Sequence, residues 1–210
     1  MKKILIVGCG PGSPEFVTPM AAAACRHAEV LLGAKRILDL FEDTGAVRIE
    51  FTTDTRAAIK EVETRRTNQT VAVLVSGDPG IFSLGSIMVK HFGRGACTII
   101  PGISSVQLAF ARIGLDWADA CILSAHHVKP QQKFEACRVP DKIAMLSGKA
   151  ESLQWIAALL ETVSYEKIIF VCENLGFDNE SVSRIDEHML PSGNFSSKTL
   201  IISVRKELLS

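Results

Sequence analysis

Asp78 is the residue of this chain whose type and setting most plainly suit ligand chemistry, a carboxylate wedged in Ser76-Gly77-Asp78-Pro79-Gly80-Ile81-Phe82-Ser83. Glycine before it keeps backbone crowding low, and proline after it restricts local motion. Such a turn either bonds its own backbone or offers the carboxylate to a ligand, and both readings stand from this loop alone. Two further loops share its character, Gly8-Cys9-Gly10-Pro11-Gly12-Ser13-Pro14-Glu15 and Pro101-Gly102-Ile103-Ser104-Ser105. Each follows an apolar run: Ile4-Leu5-Ile6-Val7, Val71-Ala72-Val73-Leu74-Val75 and Thr98-Ile99-Ile100. Aliphatic runs bounded by turn residues read as buried strands of a parallel sheet, and open α/β sheets bind ligands at such strand ends.

A dinucleotide loop fits poorly. It wants glycine where Ser13 stands, and an acidic residue ending the second strand, where Val30-Leu31-Leu32-Gly33 has none. The common methyltransferase loop meets the same objection. Lys plus Arg and Asp plus Glu are equal at 23 each, so no global field favours nucleic acid or an anionic membrane. No apolar run approaches the roughly 20 residues of a bilayer span, and the chain enters a strand directly after Lys2-Lys3 without a signal-peptide pattern. A cytoplasmic protein is expected. The cysteines Cys9, Cys25, Cys97, Cys121, Cys137 and Cys172 lack metal-ligand spacing and read as buried thiols.

The loops need strands to hold them. Strands are expected at 3–8, 29–33, 46–51, 70–76 and 97–100, alternating with helices in the rhythm of βαβ units. Thr18-Pro19 has the cap and first-turn proline of a helix start. The segment 53–67 suits an outer helix with Ala57, Ala58, Ile59 and Val62 as its apolar stripe. After Gly114 the rhythm changes. Strands at 120–124, 142–146 and 167–172 flank helices near 130–138 and 150–163, and 181–185 and 199–204 follow without a long helix between them, so late antiparallel strands are expected. A domain boundary near Leu115-Asp116-Trp117 divides the chain into 1–115, mostly parallel, and 116–210, with a mixed sheet.

Taken in order, the three loops resemble those of the tetrapyrrole (corrin/porphyrin) methylase family, over essentially the whole chain. The opening G-x-G-P-G-x-P-E followed by Thr18, the S-G-D-P-G-I-F-S loop and P-G-I-S-S carry the likeness. The run from Pro101 to Ala109, with Glu173-Asn174-Leu175-Gly176, is most similar to the precorrin-6Y methylase subgroup. The resemblance implies a class III S-adenosylmethionine (SAM) methyltransferase fold, two α/β domains with the active-site cleft between them. It also implies methyl transfer from SAM to C5 of a cobalt-precorrin-7 or precorrin-6Y type corrin intermediate on the route to vitamin B12, with S-adenosylhomocysteine released and no metal required. At 210 residues the chain is expected to lack the C15 methylase and decarboxylase unit of longer members, leaving that step to a separate protein. A homodimer is implied. The alternatives are a sibling methylase acting at another ring position and a non-catalytic tetrapyrrole-binding module.

Carried over position by position, the resemblance implies that Pro11, Gly77, Asp78, Pro79, Ile81, Ser104, Ser105, Met145 and Leu146 contact the cofactor. Lys35 and Arg36 are implied for the carboxylate arms of the substrate, with Lys129 and Lys198 as lesser candidates. Met145 reads equally as a core residue, and Lys35-Arg36 as an exposed helix start. Because the conjugated ring is itself the nucleophile, alignment and water exclusion do most of the work, and no catalytic triad is expected. His126 is the candidate for a polar or proton-relay role. The subgroup pattern there is Ser-x-His-Gly-Arg, from which His127 and Val128 depart.

Overall fold

The computed structural model describes residues 1–52, 54–125, 139–148 and 150–209. Its chain divides into two compact units, Met1–Ser104 and Ser105–Ser210.

The first unit runs β1 (Ile4–Gly8), α1 (Pro19–His27), β2 (Val30–Gly33), α2 (Lys35–Leu38), β3 (Val47–Glu50), α3 (Thr55–Arg65), β4 (Val71–Val75), α4 (Leu84–Phe92) and β5 (Cys97–Ile100). Its sheet has the order β3-β2-β4-β1-β5, and every pairing is parallel. Alternate residues of each strand feed opposite faces. Val7, Leu31, Ala72 and Leu74 pack with Ala21 and Cys25 of α1. Ile4, Ile6, Val30, Leu32, Val71 and Val73 pack with Ala58 and Val62 of α3 and Met88 of α4. Covered on both faces, the strands read as continuous apolar runs instead of alternating ones. Thr18 caps α1 by accepting from Ala21 N at 3.1 Å, and Asp54 caps α3 by accepting from Arg56 N and Ala57 N. Of the expected stripe on α3, Ala58 and Val62 are buried, Ile59 is half-buried and Ala57 is exposed.

The second unit runs α5 (Ser105–Ile113), β6 (Cys121–Ser124), β7 (Lys142–Ser147), α6 (Ala150–Glu161), β8 (Lys167–Glu173), β9 (Ser181–Ile185) and β10 (Thr199–Arg205). Its sheet is mixed, in the order β6-β7-β10-β8-β9, with only β6 and β7 parallel. The late strands are antiparallel, as their spacing requires. One face packs Ile143, Met145, Ile169, Val171 and Ile201 beneath Leu153, Ile156 and Leu160 of α6. The division after Ser104 differs from the expected boundary near Leu115 because α5 lies against β9 and β10. Val106, Ala109 and Phe110 form its buried face, and a sequence cannot say which sheet such a face will cover. The expected helix near 130–138 lies outside the described residues. Among the described residues no helix is long and apolar enough to cross a membrane.

Candidate active site

Strand order brings the three loops together. β1 lies between β4 and β5, and since all three run parallel, the loops leaving them emerge side by side at one end of the first sheet. Cys9 N donates to Val75 O at 2.9 Å, then Gly10 and Gly77 exchange backbone bonds of 3.3 and 2.8 Å. Both glycines are left-handed, with φ +78° and +68°, which side-chain-bearing residues rarely adopt. The third loop closes on the first two. A Cβ placed on Gly102 would stand 2.3 Å from Gly77 O and 2.6 Å from Gly8 C, so three backbones are in direct contact.

Asp78 ties this contact. Its Oδ1 accepts from Gly80 N at 2.7 Å and its Oδ2 from Gly102 N at 3.1 Å. The carboxylate therefore bonds its own turn, as one of the two sequence readings expects, and in addition clips the second loop to the third. A carboxylate has about four lone-pair sites, so these bonds leave acceptor capacity for a ligand donor. Asp78 and Ile81 are half-buried, while Pro11, Gly77 and Pro79 are buried. The loop is further fixed by Ile81 N donating to Asp78 O at 3.2 Å. Ser83 Oγ donates to Pro79 O at 2.6 Å and caps α4 by accepting from Gly85 N at 3.0 Å. Ser104 is buried at the end of the first unit, and Ser105, half-buried, opens α5.

Lys35 and Arg36, adjacent in sequence, part company in space. Lys35 is exposed and paired with Asp39 at 3.1 Å within one helical turn. Arg36 is half-buried, and its Nη2 donates to Ser76 Oγ at 3.1 Å, at the mouth of the Asp78 loop. Burial pulls the guanidinium below its ordinary pKa. Only Arg36 of the pair is brought to the loop cluster by a bond the structure shows.

In the second unit Met145 and Leu146 face opposite ways. The Met145 side chain is fully buried beneath α6, as the core reading of this residue expects. Leu146 is half-buried. Just beyond, Ser147 Oγ lies 2.7 Å from Ser152 Oγ, and Ser147 lines a cavity of about 200 Å³ together with Gly148, Asn194, Phe195 and Thr199. Ser196, on the same rim, donates its N to Glu173 Oε1 and its Oγ to Asn174 Oδ1, both at 2.7 Å. Glu173-Asn174-Leu175-Gly176 thus anchors the segment before β10. Lys198 stacks over the Phe177 ring at 3.9 Å. His126, His127, Val128 and Lys129 lie outside the described residues.

Gly8, Gly102 and Ser76 are the residues that motif reading left without a role. Gly8 and Gly102 stood inside the motifs, but their mutual contact joins positions far apart in the chain, and Ser76 acquires its role only through Arg36.

The family profile of tetrapyrrole (corrin/porphyrin) methylases matches residues 3–188. The cobalt-precorrin-7 C(5)-methyltransferase of Salmonella typhimurium is 33% identical over 189 residues, 90% of this chain and 90% of that protein. Among solved structures, the cobalamin biosynthesis precorrin-6Y methylase of Archaeoglobus fulgidus superposes with a TM-score of 0.68 at 24% identity, over 98% of this chain and 97% of that one. The uroporphyrin-III C-methyltransferase of Thermus thermophilus, complexed with S-adenosylhomocysteine, gives 0.75 at 18% identity, over 99% and 100%. The three converging loops, the match along most of the sequence and the shared fold agree: this chain belongs to the tetrapyrrole (corrin/porphyrin) methylase family.

Proposed function

We propose that this chain is a SAM-dependent C-methyltransferase of cobalamin biosynthesis that methylates C5 of cobalt-precorrin-7. The observation that carries the reading is the three-backbone contact at the ends of β1, β4 and β5, clipped by Asp78, in a chain one-third identical to a C5-methyltransferase over nine-tenths of its length. The residues fit a charged methyl donor. Glycines that leave no room for a Cβ bring backbone groups within reach of a ligand, and Asp78 retains acceptor capacity near them.

When bound, SAM supplies an electrophilic methyl group that passes to a ring carbon, with S-adenosylhomocysteine and a proton as the other products. In this reading Pro11, Gly77, Pro79 and Ile81 wall the cofactor, Asp78 accepts from it, and Ser104 completes the contacts offered by the first unit. Arg36 pairs with a carboxylate arm of the macrocycle; its planar guanidinium suits two-point recognition. Lys35, already engaged by Asp39, is the weaker partner. Such residues accelerate the reaction by holding donor and acceptor in line and excluding water, which intramolecular analogues value at about 7–11 kcal/mol of barrier. The resemblance adds a homodimeric state, a cytoplasmic setting and a separate C15-methyltransferase/decarboxylase, which native mass measurement, cell fractionation and a coupled two-enzyme assay test in turn.

The deciding experiment has two arms. Isothermal titration with S-adenosylhomocysteine is expected to show micromolar binding that Asp78→Ala weakens at least about tenfold, through loss of a charged acceptor and the loop clip. Incubation with SAM and a panel of tetrapyrrole precursors is expected to add one methyl mass increment to cobalt-precorrin-7, located at C5 by carbon-13 labelling. Methylation of another precursor selects a sibling activity. Binding without any product selects a non-catalytic module, and absence of both sinks the proposal.

A further inference from the structure

Phe82 sits at φ +42° with 59% of its surface exposed, in the same loop as Asp78. Both features are unfavourable for a large aromatic residue. Glycine would adopt this backbone without strain, and a polar side chain would suit the exposure. The conformation is imposed by its neighbours: the Asp78 Oδ1 bond to Gly80 N, the Ile81 N bond to Asp78 O, and Ser83, whose hydroxyl holds Pro79 O behind and Gly85 N ahead. The loop therefore displays the ring outward on a rigid turn, at the strand ends where ligands of such sheets gather. Non-glycine residues held this way concentrate at functional sites because the surrounding structure must over-determine them.

We propose that Phe82 is a substrate-positioning residue, a hydrophobic platform against which the face of the conjugated macrocycle packs during methyl transfer. The proposal rests on the methyltransferase reading above and adds to it the group that orients the ring. An aromatic side chain offers a broad apolar face with few rotatable bonds, which suits a large π-system in need of one fixed orientation. Arg36, also beside the Asp78 loop through Ser76, would then fix an edge of the substrate by charge while Phe82 fixes its plane. Position and plane together determine which ring carbon meets the methyl donor.

The test uses the full chain with cobalt-precorrin-7 and SAM, comparing wild type with Phe82→Ala, Phe82→Gly and Phe82→Tyr. Losing an aromatic contact is expected to raise KM for the macrocycle about five- to tenfold in the alanine and glycine variants. Tyrosine should restore it to within about twofold of wild type, since the ring is retained. The S-adenosylhomocysteine dissociation constant should stay within about twofold throughout, because the Asp78 clip does not involve the Phe82 ring. Phe82→Gly also removes the backbone strain, so a thermal midpoint at or above that of Phe82→Ala separates lost function from lost folding. An unchanged KM in both truncated variants overturns the proposal, as does a parallel loss of S-adenosylhomocysteine binding. A change in native mass with KM unaltered also overturns it and assigns the ring to contact with a second copy of the chain. A wild-type protein that binds S-adenosylhomocysteine yet methylates no macrocycle fails the parent reading first, and the platform with it.

Discussion

Replacing Gly102 by alanine puts a methyl group where three loops already touch. The new Cβ would stand 2.3 Å from Gly77 O, 2.6 Å from Gly8 C and 2.7 Å from Gly8 O, against the 3.4 Å at which ordinary contact begins. All three atoms belong to main chain, so no rotamer change relieves the clash. The loops must instead retreat by about 1 Å, stretching the bond from Gly102 N to Asp78 Oδ2. Overpacking of this kind costs about 3 kcal/mol at the upper end of its usual range. At a urea dependence of about 2–3 kcal/mol/M, the unfolding midpoint of the first unit falls by about 1 M. A displacement of that size at a binding loop is expected to weaken S-adenosylhomocysteine by about 100-fold, read by isothermal titration. Gly95→Ala is the matched control: nothing lies within 4 Å of its added Cβ, so stability should change by less than about 0.5 kcal/mol. A Gly102→Ala protein with the wild-type urea midpoint and affinity would refute the idea that backbone contact builds the site.

Two further outcomes concern the second unit. Arg112 holds the Glu180 carboxyl below its ordinary value of 4.5 through a side-chain hydrogen bond, while Glu180 Oε2 also accepts from Gly176 N at 2.7 Å. Because the folded pKa is depressed, this stabilisation is fully present above about pH 4.5 and disappears as pH falls through the folded value. Glu180→Gln should therefore lose about 1 kcal/mol at pH 7 and show a flatter decline in urea midpoint below pH 4.5; parallel curves for both proteins would count against the linkage. Ser203 is fully buried on β10 with no partner for its hydroxyl among the described residues, so Ser203→Ala should raise stability by about 1 kcal/mol, and a loss in thermal unfolding would show that the hydroxyl is satisfied.

The fold was legible to the extent that its signals are local. Val71-Ala72-Val73-Leu74-Val75 is a strand because its own side chains suit burial on two faces, and Thr18 starts a helix because its hydroxyl reaches a backbone donor three residues on. The glycines at 10 and 77 likewise announce themselves, since their left-handed backbones exclude most other residues. Ala57 shows the limit of a helical stripe: it follows the apolar pattern, yet α3 turns Ala58 and Val62 inward and leaves it exposed.

What depends on distant partners could be read only from coordinates. Both faces of β7 are apolar, so parity alone could not say that Met145 points into the core beneath α6 while Leu146 points the other way. Lys35 and Arg36 are equivalent charges in sequence, and a one-residue rotation about α2 sends one to Asp39 and the other to Ser76, 40 positions away. The apolar face of α5 was visible, but not that it would cover β9 and β10 and move the division between units to Ser104. Periodicity and turn chemistry determined the strands and the glycine turns, because those are set by each residue's own geometry and near neighbours, while the family resemblance was carried by the three loop motifs. The tertiary structure alone decided that Asp78 joins Gly102 across 24 positions and that Gly8 meets Gly77 and Gly102, because such contacts exist only once β1 is seated between β4 and β5.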